Sequence, residues 1–236
     1  NIIFTGSATE ADNMAVYGTA RGFTNSHRLV MPHIITTTIE HEAVLEPCRD
    51  LEKNGLARVT YLKVGKDGIV DVGELEKALS KDTALVSVMY ANNEIGTIQP
   101  IVEISEIVRR WKKSSGPPTG QAGIVSDWPL FHTDAVQAAG FLNMDAQKLG
   151  VDLLTISGHK IYGPKVVGAL YIRDGVNIYP WLRGGGQEYG MRAGTEPVPI
   201  IAGFGKAVEL TQQWKSNANN LKNMLSNEME IPELTQ

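Results

Sequence analysis

The sequence predicts an α/β fold: a mostly parallel central sheet flanked by helices on both faces. Short β-branched runs alternate with segments of helical periodicity along the whole chain, and strands alternating with helices favour parallel pairing. Hydrophobic residues make up 42% of the 236 residues and charged residues 20%, a globular composition too apolar for a disordered chain. No internal repeat interrupts the alternation.

Ile2–Thr5 reads as a strand that breaks at Gly6, and a helix follows over about Thr9–Gly22. His33–Thr37 is β-branched and strand-like. Glu42–Lys53 has helical spacing and stops at Asn54-Gly55, a common helix exit. Val59–Val64 is a strand, followed by a turn at Lys66-Asp67-Gly68. Asp71 caps the next helix, with Glu74 at capping-box spacing. Thr83–Tyr90 reads as a buried strand, and Ile101–Lys113 as a helix. Its cationic end (Arg109, Arg110, Lys112, Lys113) is expected to complement the helix dipole on a solvated face. Ser114–Gly123 is the only low-complexity stretch and is expected to be a surface loop within the domain. Leu130–Thr133, Asp152–Ser157 and Val167–Arg173 are the remaining strands. Two helices close the chain, over about Val198–Trp214 and Asn219–Met229.

Several function classes are excluded early. The net charge of −4 argues against nucleic acid as a partner. No apolar run is long enough to span a bilayer, and Asn1–Phe4 lacks the features of a signal peptide. Cys48 is the single cysteine, which excludes an intramolecular disulfide and a Cys-rich zinc site. A reducing intracellular compartment is expected. The glycine-containing segments at Gly65, Gly184 and Gly205 fit neither a P-loop nor a dinucleotide fingerprint. No nucleophile elbow or zinc-protease motif is present.

In a parallel α/β sheet, ligands bind beyond the carboxyl ends of the strands. The polar residues following each strand are therefore the candidates. Gly6-Ser7-Ala8-Thr9 at a strand-to-helix turn can cradle a phosphate or serve as an ordinary N-cap. Lys160, ending an apolar strand in Ser157-Gly158-His159-Lys160, is either a surface lysine or a desolvated amine with lowered pKa that attacks carbonyls. Asp134 either caps a helix or pairs with a buried cation such as a pyridinium nitrogen. Together, a phosphate cradle, a Schiff-base lysine and an acid for a ring nitrogen match one cofactor, pyridoxal 5'-phosphate. His41 could stack on its ring and Gln137 could donate to its phenolic oxygen.

These segments resemble a known family. Thr5-Gly-Ser-Ala-Thr-Glu-Ala-Asp-Asn13, Glu40-His-Glu-Ala-Val44, Asn92-Asn-Glu-Ile-Gly96 and His132-Thr-Asp-Ala-Val-Gln137 look like cysteine desulfurases. So do Ser157-Gly-His-Lys-Ile-Tyr-Gly-Pro164, Gly184-Gly-Gly-Gln-Glu188 and Arg192-Ala-Gly-Thr195. Those enzymes belong, with selenocysteine lyases, to the class V aminotransferase-like group of the large pyridoxal-phosphate fold. The resemblance implies that Lys160 binds the cofactor covalently and later moves the substrate Cα proton. It implies Asp134 at the ring nitrogen, Gln137 at the phenolic oxygen and His41 stacked on the ring. Ala8, Thr9, Ser157 and His159 would surround the phosphate, and Asn93 would lie beside cofactor and substrate. Thr195 would reach the phosphate of a second subunit, which implies a homodimer.

The implied substrate is cysteine or selenocysteine, converted to alanine with sulfur or selenium passed to an acceptor protein, in the cytoplasm or a mitochondrion. Alternatives are another class V enzyme, such as an aminotransferase, and a non-catalytic paralogue or assembly partner. The family usually reads Thr-Ser-Gly at the cradle, whereas this chain reads Thr5-Gly6-Ser7. A left-handed backbone at Ser7 would be strained. Residues 1–210 are expected to form the cofactor-binding domain, and 211–236 to begin a small C-terminal domain. The family's nucleophilic cysteine and carboxylate-binding arginine belong to that small domain and are expected beyond these residues. Cys48, on the helix at Glu42–Lys53, is expected to be structural.

Overall fold

The computed structural model describes residues 1–27, 30–115 and 128–229, with side chains described throughout except at 115 and 219–229. The strands are β1 (Ile2–Thr5), β2 (His33–Thr37), β3 (Arg58–Leu62), β4 (Thr83–Ser87), β5 (Leu130–Asp134), β6 (Leu153–Ser157) and β7 (Gly168–Ile172). The helices are α1 (Ala8–Ser26), α2 (Glu42–Lys53), α3 (Val72–Ala78), α4 (Ile101–Ser115), α5 (Ala146–Leu149) and α6 (Val198–Met229). One seven-stranded sheet has the order β1-β7-β6-β5-β4-β2-β3. Only β7 is reversed, antiparallel to both β1 and β6. The carboxyl ends of β1, β2, β4, β5 and β6 therefore meet at one edge, as the sequence predicts.

Consecutive strand residues point to opposite faces, and the central strands are apolar on both. Ile34, Leu85, Leu130 and Leu153 pack with Met14 and Ala15 of α1 and with Val44 and Leu51 of α2. Their chain neighbours Ile35, Val86, Phe131 and Leu154 pack with Leu75, Ile104, Val108 and Leu149 on the other face. Each such side chain removed from water contributes about 1.5–3 kcal/mol, so burial on both faces holds the layers together. Phe204 and Ala207 of α6 close a third cluster with Ile161 and Ala169.

Helix α2 runs through Pro47, which has no N–H to offer the carbonyl of Ala43. Asn13 of α1 supplies the missing donor: its Nδ2 lies 3.2 Å from that oxygen. One side chain thus satisfies an orphan carbonyl and fastens α1 to α2.

Some expectations are corrected. The two closing helices are one helix, α6, because Lys215-Ser216-Asn217-Ala218 contains neither glycine nor proline to stop it. This helix runs across the expected 210/211 boundary, as a helix shared by two domains also would. Helix α4 extends through Ser115, and the rest of the expected loop, 116–123, lies outside the described residues. Lys112 is not on a solvated face. It is buried, with Nζ 2.7 Å from Asp152 Oδ2. Asp71 caps α3 by accepting the Gly73 and Glu74 N–H groups, but Glu74 reaches forward to Lys77 instead of closing a box. Residues 88–90 leave the β4 ladder, although the N–H groups of Val88 and Tyr90 still bond to the carbonyls of His132 and Asp134.

Candidate cofactor site

The cradle is built where β1 turns into α1. Ser7 is the N-cap, its Oγ accepting from Glu10 N at 3.1 Å. Its φ is −169° and ψ 166°, an extended backbone open to any residue, so the Gly6-Ser7 order imposes no strain. Glu10 reaches back to accept the Gly6 N–H at 2.6 Å. Arg192 clamps the same carboxylate, with Nε 2.7 Å from Oε1 and Nη2 3.2 Å from Oε2. The N–H groups of Ala8 and Thr9 belong to the first helical turn, which has no intrahelical acceptors and a positive dipole end. This is an anion-binding geometry.

Strands β6 and β7 complete the corner. Ser157 pairs in register with Gly168. A Cβ on Gly168 would lie 2.5 Å from the Ser7 carbonyl carbon and 2.6 Å from Ala8 N. Only glycine lets the sheet approach the helix terminus this closely. Ser157 Oγ is 2.9 Å from His159 Nδ1. Gly168 thus brings the end of β6, with Ser157 and His159, toward the start of α1.

Asp134 ends β5, with Oδ1 accepting the Val136 N–H at 2.9 Å. Burial raises its carboxyl above the ordinary range, opposed by the Val136 N–H and by the nearby His41 and Lys160. Those two residues therefore lie within electrostatic reach of Asp134. His41 caps α2, its Nδ1 accepting from Ala43 N at 3.1 Å, which leaves Nε2 as the free ring nitrogen. Gln137 is half-buried in the turn after β5.

Lys160 corrects one expectation. It occupies the short 3-10 helix Gly158–Ile161 beyond the end of β6, and its side chain is exposed rather than desolvated. Asn93 is also exposed. Its neighbour Asn92 anchors the turn, accepting from Glu94 and Ile95 N–H groups and donating to the carbonyl of Ile39, just before His41. Thr195 is exposed, on the segment that follows the Arg192 clamp. The glycine run Gly184–Gly186 does not end a sheet strand; it lies between the bridge-paired Leu182 and Arg192. A cavity of about 800 Å³, lined by Tyr17, Arg21, Tyr179 and Trp181 among others, contains none of the predicted site residues.

Three groups escaped the sequence reading. Asp12 sits on the buried face of α1, and Glu40 directly precedes His41; both are buried. His132 is buried two residues before Asp134, and burial pushes its imidazole down to about 3. A signal existed for Asp12: it falls among Ala11, Ala15 and Val16 at helical spacing, an acid on an otherwise apolar face.

Fold and site together define an α/β protein with an anion-binding helix terminus, a lysine and a buried acid at the carboxyl edge of its sheet. This donor set fits pyridoxal phosphate: the N–H groups without intrahelical acceptors at the start of α1 suit a phosphate, and the buried Asp134 carboxyl suits a cationic ring nitrogen. The chain belongs to the aminotransferase class-V family, whose model matches residues 1–235. It is 51% identical over 209 residues to cysteine desulfurase IscS of Dictyoglomus turgidum, an alignment covering 89% of this chain and 48% of that one. Among solved structures, a NifS-like protein is 40% identical with a TM-score of 0.80, over 96% of this chain and 57% of the other. SspA in complex with cysteine is 38% identical with a TM-score of 0.75, over 88% and 55%. The chain spans about half the length of the relatives it matches.

Proposed function

We propose that this chain is the cofactor-binding part of a pyridoxal-phosphate-dependent cysteine desulfurase that converts cysteine to alanine and passes the sulfur to an acceptor. The observation that carries the proposal is the convergence of Asp134, His41 and Lys160 beside the α1 anion cradle. The likeness to desulfurases across most of the chain, and to a relative that binds cysteine, supports it.

When bound, pyridoxal phosphate supplies an electron sink that loosens bonds at the substrate Cα. The N–H groups of Ala8 and Thr9, with Ser157 and His159, would bind its phosphate. Asp134 would hold the ring nitrogen protonated, Gln137 would donate to the phenolic oxygen, and His41 would lie over the ring. Lys160 Nζ would bind the cofactor and then carry the Cα proton; an exposed side chain beyond the strand end has the freedom to do both. Asn93 would flank the substrate, and Thr195 from a second copy of the chain would complete the cradle. Cys48 is not placed to accept sulfur: it lies on the buried face of α2, and burial pushes its thiol up to about 12. The accepting cysteine would come from outside these residues.

Adding pyridoxal phosphate to the wild-type chain should produce the visible absorbance of a lysine-bound cofactor, and Lys160→Ala should abolish it. Identical spectra would reject the assignment.

A further inference from the structure

Three carboxyl groups lie together beneath the ring end of the site. Asp12, Glu40 and Asp134 are all buried, and each lies within electrostatic reach of the other two. Hydrogen bonds tie them to the ends of two neighbouring strands. Glu40 Oε1 accepts from Thr37 Oγ1 at 2.6 Å and from Met89 N at 2.9 Å. The next residue, Tyr90, donates its N–H to the Asp134 carbonyl at 2.8 Å. Asp12 Oδ1 lies 3.5 Å from Nε2 of His132, on the same strand as Asp134.

Two oxygens in this cluster, Asp12 Oδ1 and Glu40 Oε2, are buried without a hydrogen-bond partner. Among the described residues, the only basic group within 4.0 Å of any of the three acids is His132. It brings no charge, because burial keeps its ring neutral, and its nitrogens already face Ser87 Oγ at 2.9 Å and Thr155 Oγ1 at 3.1 Å. His41 and Lys160 act on Asp134 from the open side, and the Cys48 thiol faces Glu40 from α2. Three ionised carboxylates cannot share so dry a volume without a cation, so the cluster must hold protons.

We propose that Asp12 and Glu40 are positioning residues for the ring subsite: Asp12 stays a neutral acid, Glu40 titrates, and seating of a protonated pyridine ring on Asp134 expels one proton from Glu40 to solvent. The O–H bond of Glu40 breaks, its electron pair stays on the carboxylate, and the proton goes to water; nothing is oxidised or reduced. The new negative charge then helps keep the ring nitrogen protonated. In the free protein, burial pushes the Glu40 carboxyl up to about 8, so the exchange falls in an accessible pH range. The inference rests on the cofactor proposed above.

Pyridoxine 5'-phosphate tests it, because this ligand carries ring and phosphate but no aldehyde to react with Lys160. Its affinity is measured calorimetrically across about pH 6.5–9 for wild type, Glu40→Gln and Asp12→Asn. The ratio of wild-type to Glu40→Gln affinity should rise with pH, by up to about tenfold per unit, and level off above about pH 8. A ratio that stays constant overturns the proposal, since a packing role alone would weaken binding equally at every pH. Asp12→Asn should bind within about threefold of wild type at neutral pH; a loss of about tenfold or more in a folded variant shows an ionised Asp12 and overturns its part. If Glu40→Gln does not fold, infrared difference spectra of wild type decide: binding should remove intensity from the un-ionised carboxyl band, and an unchanged band overturns the proposal. No binding to wild type at any pH removes the cofactor reading itself, and the inference with it.

Discussion

Val166 lies between Lys160 and β7 with φ at +63°, although it is β-branched and 69% exposed. A left-handed backbone costs a residue with a Cβ roughly 1–2 kcal/mol, and no burial of the Val166 side chain offsets it. Glycine removes that cost but orders a more flexible unfolded chain. Val166→Gly is therefore expected to stabilise by about 0.5–1 kcal/mol, raising the melting temperature by roughly 2 °C. A lower melting temperature by calorimetry would show that the strain is compensated elsewhere. Single residues also mark how far local reasoning reaches. The positions of Asp134 and His41 after strands were legible from the β-branched runs, and both side chains also cap the backbone that follows, Asp134 accepting the Val136 N–H and His41 the Ala43 N–H. The chemistry of Glu40 was not legible, since its burial depends on contacts with Met89 and Thr37 that sequence neighbours do not reveal.

At the scale of elements, the contact of α1 with α2 rests on a bond across thirty positions of sequence, from Asn13 Nδ2 to the Ala43 carbonyl. Asn13→Ala leaves that buried oxygen without a donor and should cost about 1–2 kcal/mol in urea denaturation. Adding Pro47→Ala restores a helical N–H to the same oxygen, so the double variant should recover most of the loss. Additive effects of the two changes would refute this account of the helix pair. The helix starts near Thr9 and at Glu42 were readable from helical spacing, and the exit at Asn54-Gly55 from its turn residues; α1 begins one residue earlier, at Ala8. The continuity of α6 and the burial of Lys112 were misjudged: the first needed only the absence of a breaker, and the second needed Asp152, forty residues away.

Across the whole molecule, buried ionisable groups set opposing pH trends. Burial lowers His33 to about 4 and His132 to about 3. The unfolded imidazoles take up protons near 6.5, so acid costs stability from about pH 6.5 downward. Glu40 behaves in the opposite sense, raised from 4.5 to about 8. Its unfolded carboxyl loses its proton near 4.5 while the folded one retains it, so stability falls as pH rises from about 4.5 to 8 and then levels off. The buried Asp12 and Asp134 act in the same direction. The cofactor-free chain should therefore be most stable at about pH 5–6, as measured by urea midpoints between about pH 4 and 9, and Glu40→Gln should flatten the alkaline decline. A midpoint that climbs steadily to pH 9 would contradict this.

The sequence by itself determined the α/β class, most strand and helix positions, and the residues that line the carboxyl edge of the sheet. These depend on periodicity, capping and β-branched runs, which act over a few residues. Only the tertiary structure decided that Gly168 lets β7 pack on the start of α1, that Arg192 clamps Glu10, and that Asp12 and Glu40 lie buried beside Asp134. Those facts depend on burial and on distances between segments far apart in the chain. Burial, more than residue type, turns a carboxyl into a proton store.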